Sequence, residues 1–389
     1  MLPPALSHLP APPPAAQDVN LRLEALIRSE IAAAGGWLAF ARYMELALYA
    51  PGLGYYSAGS AKLGAAGDFV TAPELSPLFA RCLARQVAQV MAAGVGDVVE
   101  VGAGSGALAA GLLNALEALG RVPERYLILE VSADLRERQR ARIAKCAPHL
   151  ASRVHWIDVL PKALDAIVVA NEVLDAIPVH IVRRHQSAIE EMGVAAGAGD
   201  ARFERAWRPA EGELLAAVQA LALPDEYETE INLAARAFVK SFARLLRRGA
   251  LLFIDYGFPA TEYYHPQRAE GTLMCHYRHH AHGDPLVLAG LQDITAHVDF
   301  TAMATAGVEA GLSVLGFATQ AQFLINTGII DMLGATPAND ARAYAPLAAQ
   351  VQKLTSPAEM GELFKVLALG RGIGEPLIGY ARGDRTHTL

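Results

Sequence analysis

The chain has 389 residues, 53% of them hydrophobic and 19% charged, which is enough apolar material for a large core and too little charge for a disordered polymer. A formal charge of -7 argues against a protein whose main task is gripping phosphate backbones, so nucleic acid is not an expected partner. Cys82, Cys146 and Cys275 form no Cys-x-x-Cys pair, which points away from a disulfide framework and a thiolate zinc site and toward a reducing compartment.

Residues 1–20 hold several prolines and no Lys or Arg. They lack the marks of a secretory signal or transit peptide and are expected to be a flexible lead-in to a cytoplasmic protein. No apolar run approaches the roughly 18–20 residues that span a bilayer, so membrane insertion is not expected. Apolar residues at three- and four-residue spacing predict helices over Leu21–Ala34 and Trp37–Tyr49, the second stopped by Pro51-Gly52. Gly52–Pro77 is too long for a simple connector and is a candidate functional loop, followed by a helix over Leu78–Ala93. Residues 21–95 therefore read as a helical cap with a long loop, of the kind that often makes homodimer contacts.

From residue 96 the texture changes. Short β-branched runs at Val98–Val101, Tyr126–Glu130, Val154–Ile157 and Ala166–Ala170 alternate with helical patterns at Leu108–Leu119 and Ala133–Lys145. That alternation predicts parallel βαβ units, so residues 96–389 are expected to form an α/β core. Val179–Phe203 reads as two strands joined by a turn at Gly193–Gly199, in an insertion reaching to about residue 228. A helix over Thr229–Arg248 and a strand over Ala250–Asp255 follow, then an irregular His-rich insertion over about 257–311. Strand Leu312–Thr319, helix Gln320–Leu333, a loop at Gly370–Gly374 and a last strand Pro376–Tyr380 complete the expected order.

The strand-to-helix segment Glu100-Val101-Gly102-Ala103-Gly104-Ser105-Gly106 brings backbone N–H groups and a helix N-terminus to a strand end, where glycine avoids a Cβ clash. Gly102, Gly104 and Ala107 also satisfy a dinucleotide pattern, so the loop alone does not separate a nicotinamide enzyme from a methyltransferase. Glu100 could orient a ligand amino group and would repel a pyrophosphate. Glu130 ends the next strand, where a carboxylate accepts from ribose hydroxyls. Asp158 follows the third strand, placed for an exocyclic amine, and Asn171-Glu172 ends the fourth. Four such groups suit a cationic, hydroxyl-rich ligand such as S-adenosylmethionine; the bland alternative is ordinary solvated strand ends.

Four blocks in order carry a resemblance: Gly67-Asp68-Phe69-Val70-Thr71-Ala72-Pro73-Glu74, Glu100 to Gly106, Asn171-Glu172-Val173-Leu174-Asp175-Ala176-Ile177-Pro178, and Asp293-Ile294-Thr295-Ala296-His297-Val298-Asp299-Phe300. They resemble the MidA family, which includes the mitochondrial complex I assembly factor that methylates arginine, over about 35–379. The resemblance implies a class I (Rossmann-like) methyltransferase fold with a helical N-terminal extension and an inserted substrate region. It also implies S-adenosylmethionine as cofactor, a protein substrate and arginine N-methylation. Gly102, Gly104 and Gly106 would hold the cofactor and Glu130 its ribose, with the loop of Gly67, Asp68, Thr71, Pro73 and Glu74 folded over it. Ala72, where the family usually has Ser, and Val173-Leu174, in place of an aromatic pair, are the departures.

A guanidinium acceptor asks for carboxylates that grip it bidentately, and Glu172, Asp175 and Asp299 are the candidates; the plainer reading of Asp175 is a helix cap. His265, His276, His279, His280 and His282 crowd one stretch, but the H-x-x-H-H-x-H cluster of residues 276–282 contains no Glu or Cys, so no metal site is expected. Two other classes stay open, a dinucleotide dehydrogenase and a catalytically silent assembly chaperone on the same fold.

Overall fold

A computed structural model describes residues 6, 9–58, 70–197, 203–337 and 339–389. Gly67 and Asp68, two of the expected loop residues, lie outside them. The chain divides into two compact units, one of Val70–Leu174, Ala237–Ala260 and Val298–Leu389, the other of Met1–Phe69, Asp175–Arg236 and Thr261–His297. The stretch 179–228 falls wholly in the second unit, whereas 70–95 belongs to the first.

The first unit is built on a central sheet whose seven main strands are β1 (Asp97–Val101), β2 (Arg125–Leu129), β3 (Val154–Ile157), β4 (Leu164–Asn171), β5 (Leu246–Phe258), β6 (Ser313–Thr319) and β7 (Phe364–Arg371). Their spatial order is β6-β7-β5-β4-β1-β2-β3. Pairing is parallel from β5 to β3, and β7 runs antiparallel to both β5 and β6. Val98, Val99, Ile167, Val168 and Val169 are fully buried, as strands covered on both faces require. Helix Pro77–Ala92 contributes Phe79, Leu83 and Val87 to the core, and helix Ala107–Ala118 contributes Leu108, Leu112 and Leu116, each set at four-residue spacing. This is the mostly parallel, Rossmann-like α/β architecture expected.

Two readings of this unit are corrected. The last strand is Phe364–Arg371, not Pro376–Tyr380, where Ile378–Tyr380 is a short 3-10 turn. Gly370, read as a loop residue, sits in the strand because a Cβ there would meet Leu315 at 2.4 Å and the Gly249 carbonyl at 2.8 Å. The expected helix Gln320–Leu333 is two, Gln320–Asn326 and Ile329–Gly334, parted by left-handed Gly328 (φ 93) while Arg85 Nη1 donates to the Thr327 carbonyl at 2.9 Å.

The second unit holds a five-stranded sheet of Leu38–Ala39, Ala188–Ala196, His180–His185 and Tyr227–Ile231, with Phe203–Pro209 also paired to Ala188–Ala196. Helix Pro14–Ala33 begins well before Leu21, opened by Pro14 at a position where proline's missing N–H costs nothing, and buries Leu23, Ile27 and Ile31. The turn expected at Gly193–Gly199 instead falls at Gln186-Ser187, both with positive φ (48 and 67). Gly193 lies inside a strand, because a Cβ there would stand 2.1 Å from Trp37 Cε2. Tyr227–Ile231 is a strand rather than the start of a helix, since Asn232 Oδ1 accepts from Ala235 N at 2.8 Å and starts helix Leu233–Leu245 there. The His-rich stretch holds a hairpin, Met274–Tyr277 against His280–His282, turning at Arg278-His279. Among the described residues no helix is long and apolar enough to cross a membrane.

Gly193→Ala is expected to destabilise the protein by about 1–3 kcal/mol through overpacking against Trp37, read as a shifted urea midpoint with altered tryptophan emission. An unchanged midpoint would contradict this account of the glycine.

Candidate functional site

At the end of β1 the chain makes a turn that only glycine adopts easily: Gly102, Gly104 and Gly106 all have left-handed backbones (φ 64, 52 and 80). Helix Ala107–Ala118 leaves from this turn with Gly106 at its N-cap. Side chains there would be crowded as well, for a Cβ at Gly102 would lie 3.1 Å from Val173 Cγ2 and one at Gly106 3.1 Å from Gln139 Cα.

The turn is held from beneath by Gln139, a fully buried residue of helix Ala133–Cys146. Its Nε2 donates to the Gly104 carbonyl at 2.9 Å and to Glu130 Oε2 at 3.1 Å, while Trp156 Nε1 donates to its Oε1 at 2.8 Å. The indole donor fixes which way the amide faces. Glu130 also accepts from Ser132 N at 2.9 Å through Oε1. Burial pushes its carboxyl above the ordinary range, against the hydrogen bonds from Ser132 and Gln139. Arg136, from the same helix, donates to the Glu130 carbonyl at 2.7 Å and to Asp158 Oδ1 at 2.6 Å, tying the ends of β2 and β3 together.

A cavity of about 400 Å³ opens at these strand ends, lined by Leu129, Glu130, Val131, Ala133, Arg136, Ile157 and Asp158. Val131 is 76% exposed, and Val159 beyond it in sequence is 80% exposed. Apolar side chains held out beside a cavity with two carboxylates suit a ligand with a flat apolar part and hydroxyl or amine groups.

Glu100 is placed differently from the sequence expectation of a ligand-facing group. Its side chain is buried and accepts from Tyr126 Oη at 2.5 Å. Burial pushes this carboxyl up to about 7, opposed by the Tyr126 hydrogen bond and reinforced by the charge of Glu130. Of the expected covering loop, Thr71, Pro73 and Glu74 are described. Thr71 and Pro73 open the short helix Ala72–Leu75, and Glu74 meets Ser105 and Arg142.

At the end of β4, Glu172 has φ 54, a conformation uncommon for a residue with a side chain. Its N–H donates to the Ile254 carbonyl at 2.9 Å, and Asn171 Nδ2 donates to its Oε1 at 2.9 Å. The turn is locked by Asp255, a buried residue of β5, whose Oδ2 accepts from Val173 N at 3.1 Å and Leu174 N at 2.9 Å and whose Oδ1 accepts from Tyr256 N at 3.0 Å. Asp299 caps helix Phe300–Glu309 by accepting from Ala302 N at 3.0 Å, whereas no helix begins at Asp175 for it to cap. Asp175 belongs to the other unit. It is buried there in a turn whose carbonyls accept from Ala296 N at 3.0 Å and, one residue on, from Tyr49 Oη at 3.0 Å. In that unit burial raises the Tyr56 hydroxyl well above its usual value, helped by Asp293, Tyr49 and Asp175, and Tyr56 donates to Asp293 Oδ1 at 2.9 Å.

Sequence reasoning missed Gln139, Arg136, Arg142, Ser105 and Asp255. For the first three the only available signal was that polar side chains on one helix recur at i, i+3 and i+6, the spacing of one helix face.

Two outcomes follow. Between 4.5 and about 7 the folded protein keeps on Glu100 a proton that the unfolded chain releases. This contribution to stability is therefore fully present below the unfolded value and is lost as the pH rises through the folded one. Glu100→Gln should flatten the decline in ligand-free stability between about pH 5 and about pH 8, a span worth on the order of 2 kcal/mol; parallel curves for both proteins in urea melts would contradict it. Asp255→Ala takes the carboxylate acceptor from three backbone N–H groups, those of Val173, Leu174 and Tyr256, and should cost about 2–4 kcal/mol, with faster amide exchange at Val173 and Leu174 as the specific signature.

Comparison with known proteins places this geometry. Residues 79–318 match the family described as "Putative S-adenosyl-L-methionine-dependent methyltransferase". The chain is 30% identical to the zebrafish (Danio rerio) mitochondrial protein arginine methyltransferase NDUFAF7 over 90% of this chain and 87% of that one. It is 27% identical to the human (Homo sapiens) protein of the same name over 86% and 80%. A solved methyltransferase-like protein from Burkholderia thailandensis, bound to S-adenosyl-homocysteine, superposes with a TM-score of 0.95 at 54% identity, covering 98% of this chain and 100% of that one. The chain belongs to this family of S-adenosyl-L-methionine-dependent methyltransferases, the MidA group that its four sequence blocks resemble.

Proposed function

We propose that this methyltransferase transfers its methyl group to a guanidino nitrogen of an arginine side chain in a protein substrate. The observation that carries the donor half is the glycine turn with its carboxylates. Glu74 meets Ser105 at the N-terminus of helix Ala107–Ala118, where a dinucleotide enzyme would need a bare anion-binding end, and the ion pair with Arg142 cancels the local positive charge. A diphosphate is poorly served there. A cationic sulfonium nucleoside is better matched, and the carboxylates of Glu130 and Asp158 at the cavity are acceptors for ribose hydroxyls and an adenine amine.

S-adenosylmethionine, when bound, supplies an electrophilic methyl group on a sulfonium centre, so the protein's part is alignment and exclusion of water. Gly102, Gly104 and Gly106 let the backbone approach the ligand, Glu130 receives the ribose, and Asp158 receives the adenine amine.

The acceptor half rests on the naming of the relatives as protein arginine methyltransferases and on Glu172. An arginine guanidinium is cationic at neutral pH and is gripped best by a carboxylate of fixed orientation. Glu172 is held by Asn171 at Oε1 and by the positive-φ turn that Asp255 locks. In this role its carboxylate anchors the guanidinium and takes the proton that the alkylated nitrogen sheds. Asp299, in the same unit as Glu172, is the further acceptor-side carboxylate, and its Oδ1 is already engaged at its helix cap.

Replacing Glu172 with Gln separates the two halves. Affinity for S-adenosyl-homocysteine by calorimetry should stay within about twofold while methyl transfer falls at least about a hundredfold, the scale of losing a charged group in the transition state. Full transfer activity in Glu172→Gln would contradict the assignment.

A further inference from the structure

Three side chains from three separate stretches of the first unit converge on the middle of the glycine turn. Arg142 Nη1 and Nη2 donate to Glu74 Oε1 and Oε2 at 2.6 and 3.3 Å, a two-pronged grip. The same Nη1 donates to Ser105 Oγ at 2.7 Å, and Ser105 Oγ in turn donates to Glu74 Oε1. Ser105 stands between Gly104 and Gly106, both left-handed. Burial pushes the Glu74 carboxyl up, yet Arg142 and Ser105 outweigh it and hold the group below its ordinary value. The fourth partner of the arrangement is backbone: Glu74 N and Leu75 N both donate to the Thr71 carbonyl at 3.0 Å, which fixes the short helical turn that presents Glu74.

A glycine turn is the part of a binding site with the most conformational freedom to lose, because each glycine samples both signs of φ when released. A ligand that must order such a turn loses that free energy from its affinity, and a turn already ordered does not exact it. An isolated surface ion pair would contribute little. This pair instead reaches the one residue of Gly104-Ser105-Gly106 that has a side chain, and only through that residue can the rest of the protein hold the turn from its outer side. Gln139 holds the same turn from beneath at the Gly104 carbonyl.

We propose that Arg142 and Glu74 are positioning residues that pin Ser105 and so pre-order the glycine turn for the methyl donor. Neither touches the reacting atoms. The inference rests on the reading of this turn as the donor site, and it adds that donor affinity is set in part by an ion pair outside the turn.

The test is a double-mutant cycle on the full-length protein: wild type, Glu74→Gln, Arg142→Met, the double variant and Arg142→Lys, each titrated with S-adenosyl-homocysteine in a calorimeter. Each single removal should weaken binding about tenfold, and the double variant should be no weaker than the singles, because the pair acts as one device. Arg142→Lys, which keeps the charge without the two-pronged grip, should recover part of the loss. The loss should be seen in KM for the donor more than in kcat, and amides of 104–106 should exchange faster in the unliganded single variants. Singles that bind within about twofold of wild type, or a double variant that shows the roughly hundredfold product of independent losses, would overturn the proposal. If Arg142→Met does not fold, Arg142→Lys decides alone, and unchanged affinity there overturns it too. Wild-type protein that binds no S-adenosyl-homocysteine would instead overturn the donor-site reading, a result distinct from variants that bind as well as wild type.

Discussion

The donor end of the molecule depends on the buried amide of Gln139. One side-chain carboxamide satisfies the Gly104 carbonyl, the Glu130 carboxylate and the Trp156 indole N–H together, so the glycine turn, the end of β2 and the end of β3 share a single anchor. Such a group is hard to replace. A buried carboxylate in its place would face Glu130 with like charge, and an apolar side chain would strand three polar partners. The arrangement ties a turn with three left-handed glycines to a buried side chain of the neighbouring helix.

The neighbouring strand pair, β4 and β5, uses the opposite polarity. Asp255 is a buried acceptor that gathers the backbone N–H groups of Val173, Leu174 and Tyr256, and this holds Glu172 in a backbone region that costs free energy to occupy. Lys365 stands in register opposite Asp255 on β7, its buried ammonium donating to the Leu363 carbonyl at 3.4 Å. Strain held by a well-satisfied support is the expected arrangement where a side chain must be aimed rather than merely accommodated. The residues proposed for donor and acceptor thus sit after β1, β2, β3 and β4, at the carboxyl edge where open parallel sheets bind ligands.

The sheet strands were legible because the parallel core demands short, continuous β-branched runs; Val154–Ile157 was read with its observed bounds. Gly193 and Gly370 were misread for a shared reason. Each looks like a turn signal in sequence, but each is a close-approach residue whose crowding neighbour, Trp37 or Leu315, is distant in the chain. Gln139 and Arg142 were invisible because helix Ala133–Cys146 is rich in charge, and nothing in Arg-Glu-Arg-Gln-Arg separates a buried anchor from a solvated surface. Asp255 was legible as a strand end only. That its carboxylate accepts three backbone N–H groups depends on a loop contributed by another strand. The glycine turn and Glu130 were legible because their chemistry is local, needing only a strand, a turn and a helix in order.

Whether the acceptor is arginine is decided most directly by incubating the purified full-length protein with isotopically labelled S-adenosylmethionine and fractions of a bacterial proteome, then locating the label by fragmentation mass spectrometry. The account predicts labelled methyl groups on arginine guanidino nitrogens of a protein in those fractions, abolished by Glu172→Gln. Label found on a carboxylate, hydroxyl or small molecule, with arginine unmodified, would contradict it.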